Sequence, residues 1–389
     1  MSIRKNSRKE NGSGSIRKRK DGRWEGRYSI PSKDGGGSYI RKSVYADTQE
    51  ELRKKLTQIT GEIDDGIYQE PSQYRLSEWI ETWLEVYVKP TVKDFTYDSY
   101  SGVCRNHIIP DLGGVKLKEL STTMIQKFYN SLLKKGLSAK TLKNIHGILH
   151  RTLQQAYVVG EIKQNPTDRC ILPKVPKPKI DPLEDEEITR FLEAIRGHRY
   201  ENVYFLTLFT GMRQGEVLGL SWDCVDVQNS TILINKQLRR TSHHAGAEYI
   251  LDSTKNGKER EIVVAPSVMM VLARQRAWQK ECAEKAGSAW NNEWNLVFTD
   301  ELGQHLNHPT VYNNYKRVMK KMGLENKRFH DLRHTYAVAS LESGDDIKTL
   351  QDNLGHATAS FTLDKYGHVN KTMKQKSAMN MQRFINKVS

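Results

Sequence analysis

Five short stretches in the second half of this 389-residue chain hold residue types suited to handling a phosphate: Thr210-Gly211-Met212-Arg213-Gln214-Gly215-Glu216, Lys255-Asn256-Gly257-Lys258, His330-Asp331-Leu332-Arg333-His334-Thr335, Leu354-Gly355-His356 and Tyr366-Gly367-His368. Arg213 follows a glycine turn after the apolar stretch Val203–Phe209 and precedes a helix-forming segment. A guanidinium near a helix start can bind two phosphate oxygens with its planar fork. Glu216, three residues on, either holds that fork or caps the helix, and Arg213 taken alone reads more readily as a surface charge. His330 and Arg333 lie three apart on a stretch whose Leu332, Tyr336 and Leu341 predict a helix, so both emerge on one side, where a single phosphate can touch them. The plainer alternative is a histidine with a structural role. Asn256-Gly257 stands between strand-like Tyr249–Leu251 and Glu261–Val264, the strongest short hairpin signal, which predicts Lys255 at a hairpin tip. A lysine there is either solvated or a mobile ammonium able to protonate a leaving oxygen.

These residues need a scaffold, and the length allows two or three domains at roughly 100 to 200 residues each. Lys and Arg total 61 against 46 Asp and Glu, a surplus of +15 with a pI near 9.4. That balance points to a polyanion, nucleic acid foremost, or else to a merely basic protein. Residues 1–60 hold 16 Lys/Arg against 7 Asp/Glu, nine of the fifteen excess charges, which marks the N-terminus as a binding arm. Residues 1–14 are too poor in apolar side chains for a core. Ser15–Lys20, Trp24–Ile30 and Tyr39–Val44, separated by Asp21-Gly22 and Lys33-Asp34-Gly35-Gly36-Gly37, predict a three-stranded antiparallel meander. Thr48 and Glu51 have capping-box spacing and open a helix through Leu52, Leu56 and Ile59 to about Gly61. With that helix over one face, the other is expected to present Arg17, Arg19, Arg23, Arg27, Arg41 and Lys42 beside Trp24 and Tyr28, suited to DNA phosphates and a groove. The alternative is a solvated sheet with a structural tryptophan.

From Leu76 the apolar pattern is helical: Leu76, Trp79, Ile80, Trp83, Leu84 and Tyr87 form one stripe, which reads as core. Further helices are predicted over 95–108, 122–135 and 138–159, making a four-helix, all-α domain. Residues 172–182 carry four prolines and three lysines and predict a linker. The division expected is 1–70, 71–168, a linker at 169–182, and 183–389. Cys104, Cys170, Cys224 and Cys282 have no metal-site or disulfide spacing and read as reduced thiols, so neither metal nor cofactor is expected. With no 18-residue apolar run and no signal-peptide core after Met1, a cytoplasmic protein is expected, without a membrane partner.

TGMRQGE, a turn lysine, HDLRHT, LGH and a tyrosine ten residues after that histidine together resemble the tyrosine recombinase family, especially the integrases of phages and conjugative transposons. The motif series spans about residues 183–389, and the basic arm, helical domain and linker resemble the family's layout over the rest. The resemblance implies a multidomain fold: a small three-stranded sheet plus helix, an all-α core-binding domain of the SAM-like kind, and a mainly helical α+β catalytic domain with a small antiparallel sheet. It implies that Arg213, Lys255, His330, Arg333 and His356 surround the scissile phosphate while Tyr366 attacks it. Tyr366 is preferred among 17 tyrosines, over Tyr315 and Tyr336, because it alone follows Leu-Gly-His at the family's interval.

The chemistry agrees. A phenol with an ordinary pKa of about 10 needs positive neighbours and a proton acceptor to attack phosphorus. Two guanidiniums and two imidazoles supply donors for the charge developing on the non-bridging oxygens. The resemblance implies a 3′-phosphotyrosine ester, a 5′-oxygen protonated by Lys255, His330 as proton shuttle, and resealing without ATP or metal. It implies double-stranded attachment sites as partner, a monomer in solution that forms a homotetramer on paired sites, and an excisionase and a DNA-bending protein as accessories, in the bacterial nucleoid. The apolar series Met373, Ala378, Met379, Met381, Phe384 and Ile385 predicts a tail helix that covers either its own domain or a neighbour. Two other readings are a type IB topoisomerase, against which the arm and LGH argue, and a non-cleaving DNA-binding regulator, which would not need Tyr366.

Overall fold

The computed structural model describes residues 15–31, 39–66, 68, 72–176, 180–242, 248–254, 257–355 and 371–388. The chain divides into two compact units, residues 1–175 and 176–389.

The first unit opens with β1 (Ser15–Lys18), β2 (Trp24–Pro31) and β3 (Tyr39–Ala46), an antiparallel sheet in that order. Helix α1 (Gln49–Asp64) starts as predicted, the Thr48 hydroxyl accepting the Glu51 amide N–H at 3.2 Å. Its Leu52 and Leu56 are buried against Trp24, Tyr28, Ile30, Val44 and Ala46. Gly26 makes this approach possible, because a Cβ there would lie 2.5 Å from Leu56 Cδ1. The pleat corrects one expectation. Side chains alternate in strands, so Trp24, Gly26, Tyr28 and Ile30 share the helix-covered face, and the cross-strand partner of Tyr28 is Lys42. Trp24, Tyr28 and Lys42 therefore do not stand beside the arginines. The open face carries Arg17, Glu25, Arg27, Arg41, Ser43 and Tyr45, while Arg23 lies in the β1–β2 turn on Asp21.

The predicted four helices follow. Helix α2 (Leu76–Thr82) continues as a π-helical turn, Trp83–Val88. Helix α3 (Asp94–Val103) runs through π-helical Cys104–Ile108 into α4 (Ile109–Leu112), and α5 (Thr122–Lys134) and α6 (Ala139–Val158) complete the bundle. The Leu76–Leu84 stripe is buried among Ile125, Tyr129, Leu142, Ile145, Leu149 and Leu153. Trp79 also donates its indole N–H to the Thr152 carbonyl at 2.8 Å, satisfying the polar end of a buried ring.

The second unit begins with α7 (Asp185–Ala194), α8 (Glu201–Thr210) and α9 (Gln214–Leu218). Short strands follow: β4 (Val225–Asp226), β5 (Thr231–Ile234), β6 (Lys236–Arg240), β7 (Tyr249–Ser253) and β8 (Arg260–Val263). Then come α10 (Pro266–Ala286), α11 (His308–Lys321), α12 (Phe329–Ser343), α13 (Ile347–Leu354) and α14 (Lys371–Val388). Phe191, Tyr204, Tyr315 and Phe329 pack as an aromatic cluster at its centre. Tyr315 is thus core. The end of the predicted linker is docked on this unit: buried Lys327 binds the Pro182 carbonyl at 2.7 Å and Asp181 Oδ1 at 2.9 Å, and Leu183 N–H donates to Thr335 Oγ1.

The predicted hairpin is corrected. β7 does not pair with β8: β7 pairs with β6, and β8 pairs with β5. The four strands form one bent ribbon in which Asn235 alone separates β5 from β6, whereas residues 254–259 lie between β7 and β8. A turn does form, with Gly257 at φ +65° and its N–H on the Thr254 carbonyl. The Asn-Gly signal specifies a tight reversal but not which strands pair across it, so the connection from β7 to β8 runs between two ladders and does not close a hairpin. Among the described residues no helix is long and apolar enough to cross a membrane.

Candidate active site

Helix α8 ends because Gly211 takes the left-handed conformation, φ +65°, where a Cβ would meet the Tyr336 ring at 2.4 Å. Two residues later Arg213 becomes the N-cap residue of α9, and Glu216, at the third helical position, accepts its backbone N–H at 2.9 Å. The same carboxylate accepts Arg213 Nη1 at 2.6 Å, so Glu216 both caps the helix and holds the fork. It is 1% exposed.

Glu216 has a second partner. Arg260, first residue of β8, donates Nη2 to Glu216 Oε2 at 2.6 Å and Nη1 to Oε1 at 3.2 Å, and its Nε–H reaches the Asn353 carbonyl at 2.7 Å. Burial pushes the Glu216 carboxyl up, but Arg260 and then Arg213 outweigh it and bring the pKa down to about 2. The carboxylate therefore stays charged at neutral pH and pins two guanidiniums. Arg260 was not singled out from the sequence, yet a signal existed: it alternates with buried Ile262 and so shares that residue's inward face.

Arg333, fully buried on α12, gives Nη1 to the Gly211 carbonyl at 2.7 Å and Nη2 to the Leu354 carbonyl at 2.5 Å. It thereby joins the end of α8, which precedes Arg213, to the end of α13, which precedes His356. Gly355 caps α13 at φ +61°, and a Cβ there would press on the Arg260 guanidinium at 3.1 Å. His330, in the first turn of α12, is exposed, with its ring edge-on to that of His334 at 4.9 Å. Spacing by three puts His330 and Arg333 on one side of the helix, but at different depths.

Arg213, Thr254, Lys258, Arg260, Lys348 and Gly355 line a cleft of about 600 Å³. Glu259, Glu261 and Asp352 also reach it. TGMRQGE, the segment after Lys255 and the Leu-Gly before His356 thus converge on one opening. Lys255, His356 and Tyr366 lie outside the described residues. Among the described residues no cluster of His, Cys, Asp and Glu is arranged to hold a metal ion. The cleft offers two fixed guanidiniums and two ammoniums among three carboxylates, donors for the charge of a dianionic transition state.

Comparison with known proteins identifies the family. Residues 181–373 match the phage integrase family, and residues 75–133 match the phage integrase N-terminal SAM-like domain. The chain is 31% identical over 353 residues to a tyrosine recombinase XerC-like protein of Caldanaerobacter subterraneus subsp. tengcongensis, covering 87% of this chain and 90% of the relative. It is 24% identical over 418 residues to an integrase of Saccharopolyspora erythraea, covering 94% and 95%. In fold it is similar to the Tn1549 transposon integrase in complex with transposon right end DNA, with TM-score 0.67, 22% identity and coverage of 80% and 99%. It is also similar to lambda integrase as a tetramer bound to a Holliday junction, with TM-score 0.58, 18% identity and coverage of 89% and 96%. From its catalytic motifs to its helical domain, the chain belongs to the phage integrase family of tyrosine recombinases, enzymes that cleave and rejoin DNA strands.

Proposed function

We propose that Tyr366 is the nucleophile with which this site-specific recombinase, an enzyme of mobile-element integration, cuts its attachment sites, and that it also excises the element. The phenol oxygen bonds to phosphorus, the P–O5′ bond breaks, and Lys255 supplies the proton for the departing 5′-oxygen. Arg213, Arg333 and His356 stabilise the charge on the non-bridging oxygens, with His330 as proton shuttle. The ester conserves the bond energy, so a 5′-hydroxyl from a partner strand reverses the step and exchange needs no ATP.

The observation that carries this reading is the Arg333 guanidinium, hydrogen-bonded to both the Gly211 and Leu354 carbonyls, which ties the chain just before Arg213 to Leu354-Gly355, and Arg213 and Gly355 both line one cleft. The SAM-like match over residues 75–133 favours recombination over topoisomerase-type relaxation, and the filled motif series favours cleavage over a purely regulatory role. Residues 1–70 act as the arm-type DNA-binding domain, 71–168 bind the core site, 169–182 link, and 183–389 catalyse. The protein works in the bacterial cytoplasm on the nucleoid, monomeric when free and tetrameric on paired sites, with an excisionase and a DNA-bending protein setting direction. The exposed Met379, Met381 and Phe384 of α14 suit contact with a neighbouring protomer.

The test is a nicked attachment-site suicide substrate resolved on a denaturing gel. The wild type forms a covalent protein–DNA adduct, Tyr366→Phe forms none, and chelating magnesium changes nothing. An adduct that persists in Tyr366→Phe rules out this nucleophile.

A further inference from the structure

The arm sheet carries on its open face a charged group the catalytic reading does not use. Glu25, second residue of the central strand, is 3% exposed although it lies on the face opposite the one that α1 covers. What seals it is its neighbours: Arg17 donates Nε–H to Oε2 at 2.6 Å, Arg27 donates Nε–H to Oε1 at 3.1 Å, and Ser43 donates its hydroxyl to Oε1 at 3.0 Å. The register places Arg17 directly across from Glu25 on β1, and Ser43 across from Arg27 on β3. The arginine side chains themselves remain 59% and 48% exposed.

An arginine has two hydrogen-bonding edges. Arg17 gives its Nε/Nη2 edge to Glu25, both atoms at 2.6 Å, which leaves the Nη1/Nη2 end edge outside that contact on a side chain 59% exposed. Arg27 is held through Nε alone, with the same end edge free of Glu25. A guanidinium held side-on by a carboxylate has a fixed plane and a partly neutralised charge. That suits it less to gripping phosphates, where a mobile full charge serves as well, and more to the bidentate pattern of guanine O6 and N7 in a major groove. Arg41, on the same face, has no such carboxylate among the contacts described, and Arg19, stacked over Tyr45 at 5.2 Å, meets the exposed turn residue Asp21 only at 3.5 Å; both suit the flanking phosphates.

We infer that Arg17 and Arg27, buttressed by Glu25, form a base-reading pair specific for guanines within about two base-pair steps of each other, with Glu25 as the positioning residue. Guanidiniums converging on one carboxylate cannot stand much further apart than two steps of ~3.4 Å. The inference rests on the arm domain's proposed role in binding DNA and adds what that domain recognises.

The experiment selects duplexes bound by the full-length chain from a randomised pool, then measures affinities for the enriched duplex and for an unselected one. The enriched sequence contains two close guanines. Arg17→Lys loses selection at one and Arg27→Lys at the other, each lowering affinity for the enriched duplex roughly ten-fold or more, with little change on unselected DNA. Glu25→Gln separates recognition from charge. Losing a negative group from a DNA-facing surface raises affinity for unselected DNA about two-fold or more, while preference for both guanines falls together. Equal gains on both duplexes would show that Glu25 only repels DNA, and would overturn the inference, as would lysine variants that keep both guanine preferences. If Glu25→Gln does not fold, the two lysine variants still decide. Wild-type selection that survives replacement of Arg17, Arg19, Arg27 and Arg41 together by Ala would instead overturn the arm reading itself.

Discussion

Glu25 in the arm sheet and Glu216 in the catalytic unit are the same device at two depths. Each is a nearly inaccessible carboxylate between two arginines, and each has its pKa brought down to about 2. At Glu216 the largest influence is burial, overcome by Arg260 and Arg213; at Glu25 it is the hydrogen bond from Arg17 itself, with burial second. Glu216 is enclosed by packed protein, and its arginines are 26% and 9% exposed. Glu25 is enclosed by little more than the arginines it holds. The deep version locks its two guanidiniums within packed protein, and the shallow version leaves its two about half exposed.

The comparison predicts unequal costs. Arg260→Ala strips a buried carboxylate of its principal partner and should destabilise the protein by about 3 kcal/mol or more, with single-turnover cleavage falling by roughly two orders of magnitude through a misplaced Arg213. Urea unfolding and the suicide-substrate assay measure both, and a variant of wild-type stability would break the contrast. Next in size, Arg333→Lys keeps a charge but cannot reach two carbonyls with one planar fork. It should lose about 2 kcal/mol and most of its adduct yield. Gly211→Ala should cost about 1 to 2 kcal/mol for the left-handed backbone alone, before the clash with Tyr336. At the small end, Arg17→Ala should change stability by less than about 1 kcal/mol while weakening DNA binding.

Acid sharpens the contrast further. Both carboxyls have folded pKa values near 2 against an ordinary 4.5. The stabilisation each contributes is therefore complete above the unfolded value and disappears as pH falls from 4.5 towards 2. Unfolding free energies measured between pH 6 and pH 2 should decline, and Glu216→Gln should flatten that decline more than Glu25→Gln.

Much of the architecture was legible in the residues. The meander, the Thr48 cap, the Leu76–Leu84 stripe and the glycine turn before Arg213 are local signals, each written in a few adjacent positions, and each is observed. What was not legible depends on pairing across distance. Period-two alternation places Trp24 and Lys42 opposite the arginines, a face assignment that needs the register of three strands at once. The Asn256-Gly257 turn joins strands of different ladders, because β7 and β8 had already found partners in β6 and β5. Arg260 escaped notice because its partner Glu216 is 44 residues away, with only its alternation with Ile262 as a clue.

The bent ribbon has a consequence for how such an enzyme can vary. The ladders on either side of residues 254–259 are pinned independently, β6 on β7 and β5 on β8. Insertions or deletions in the intervening chain need not shift either ladder by a residue, and so need not turn a buried side chain out to solvent. The flanking ladders are thus a frame that the length of this connection does not set. Length variants there should fold normally, as urea unfolding would show, yet differ in cleavage rate if Lys255 has the role proposed for it.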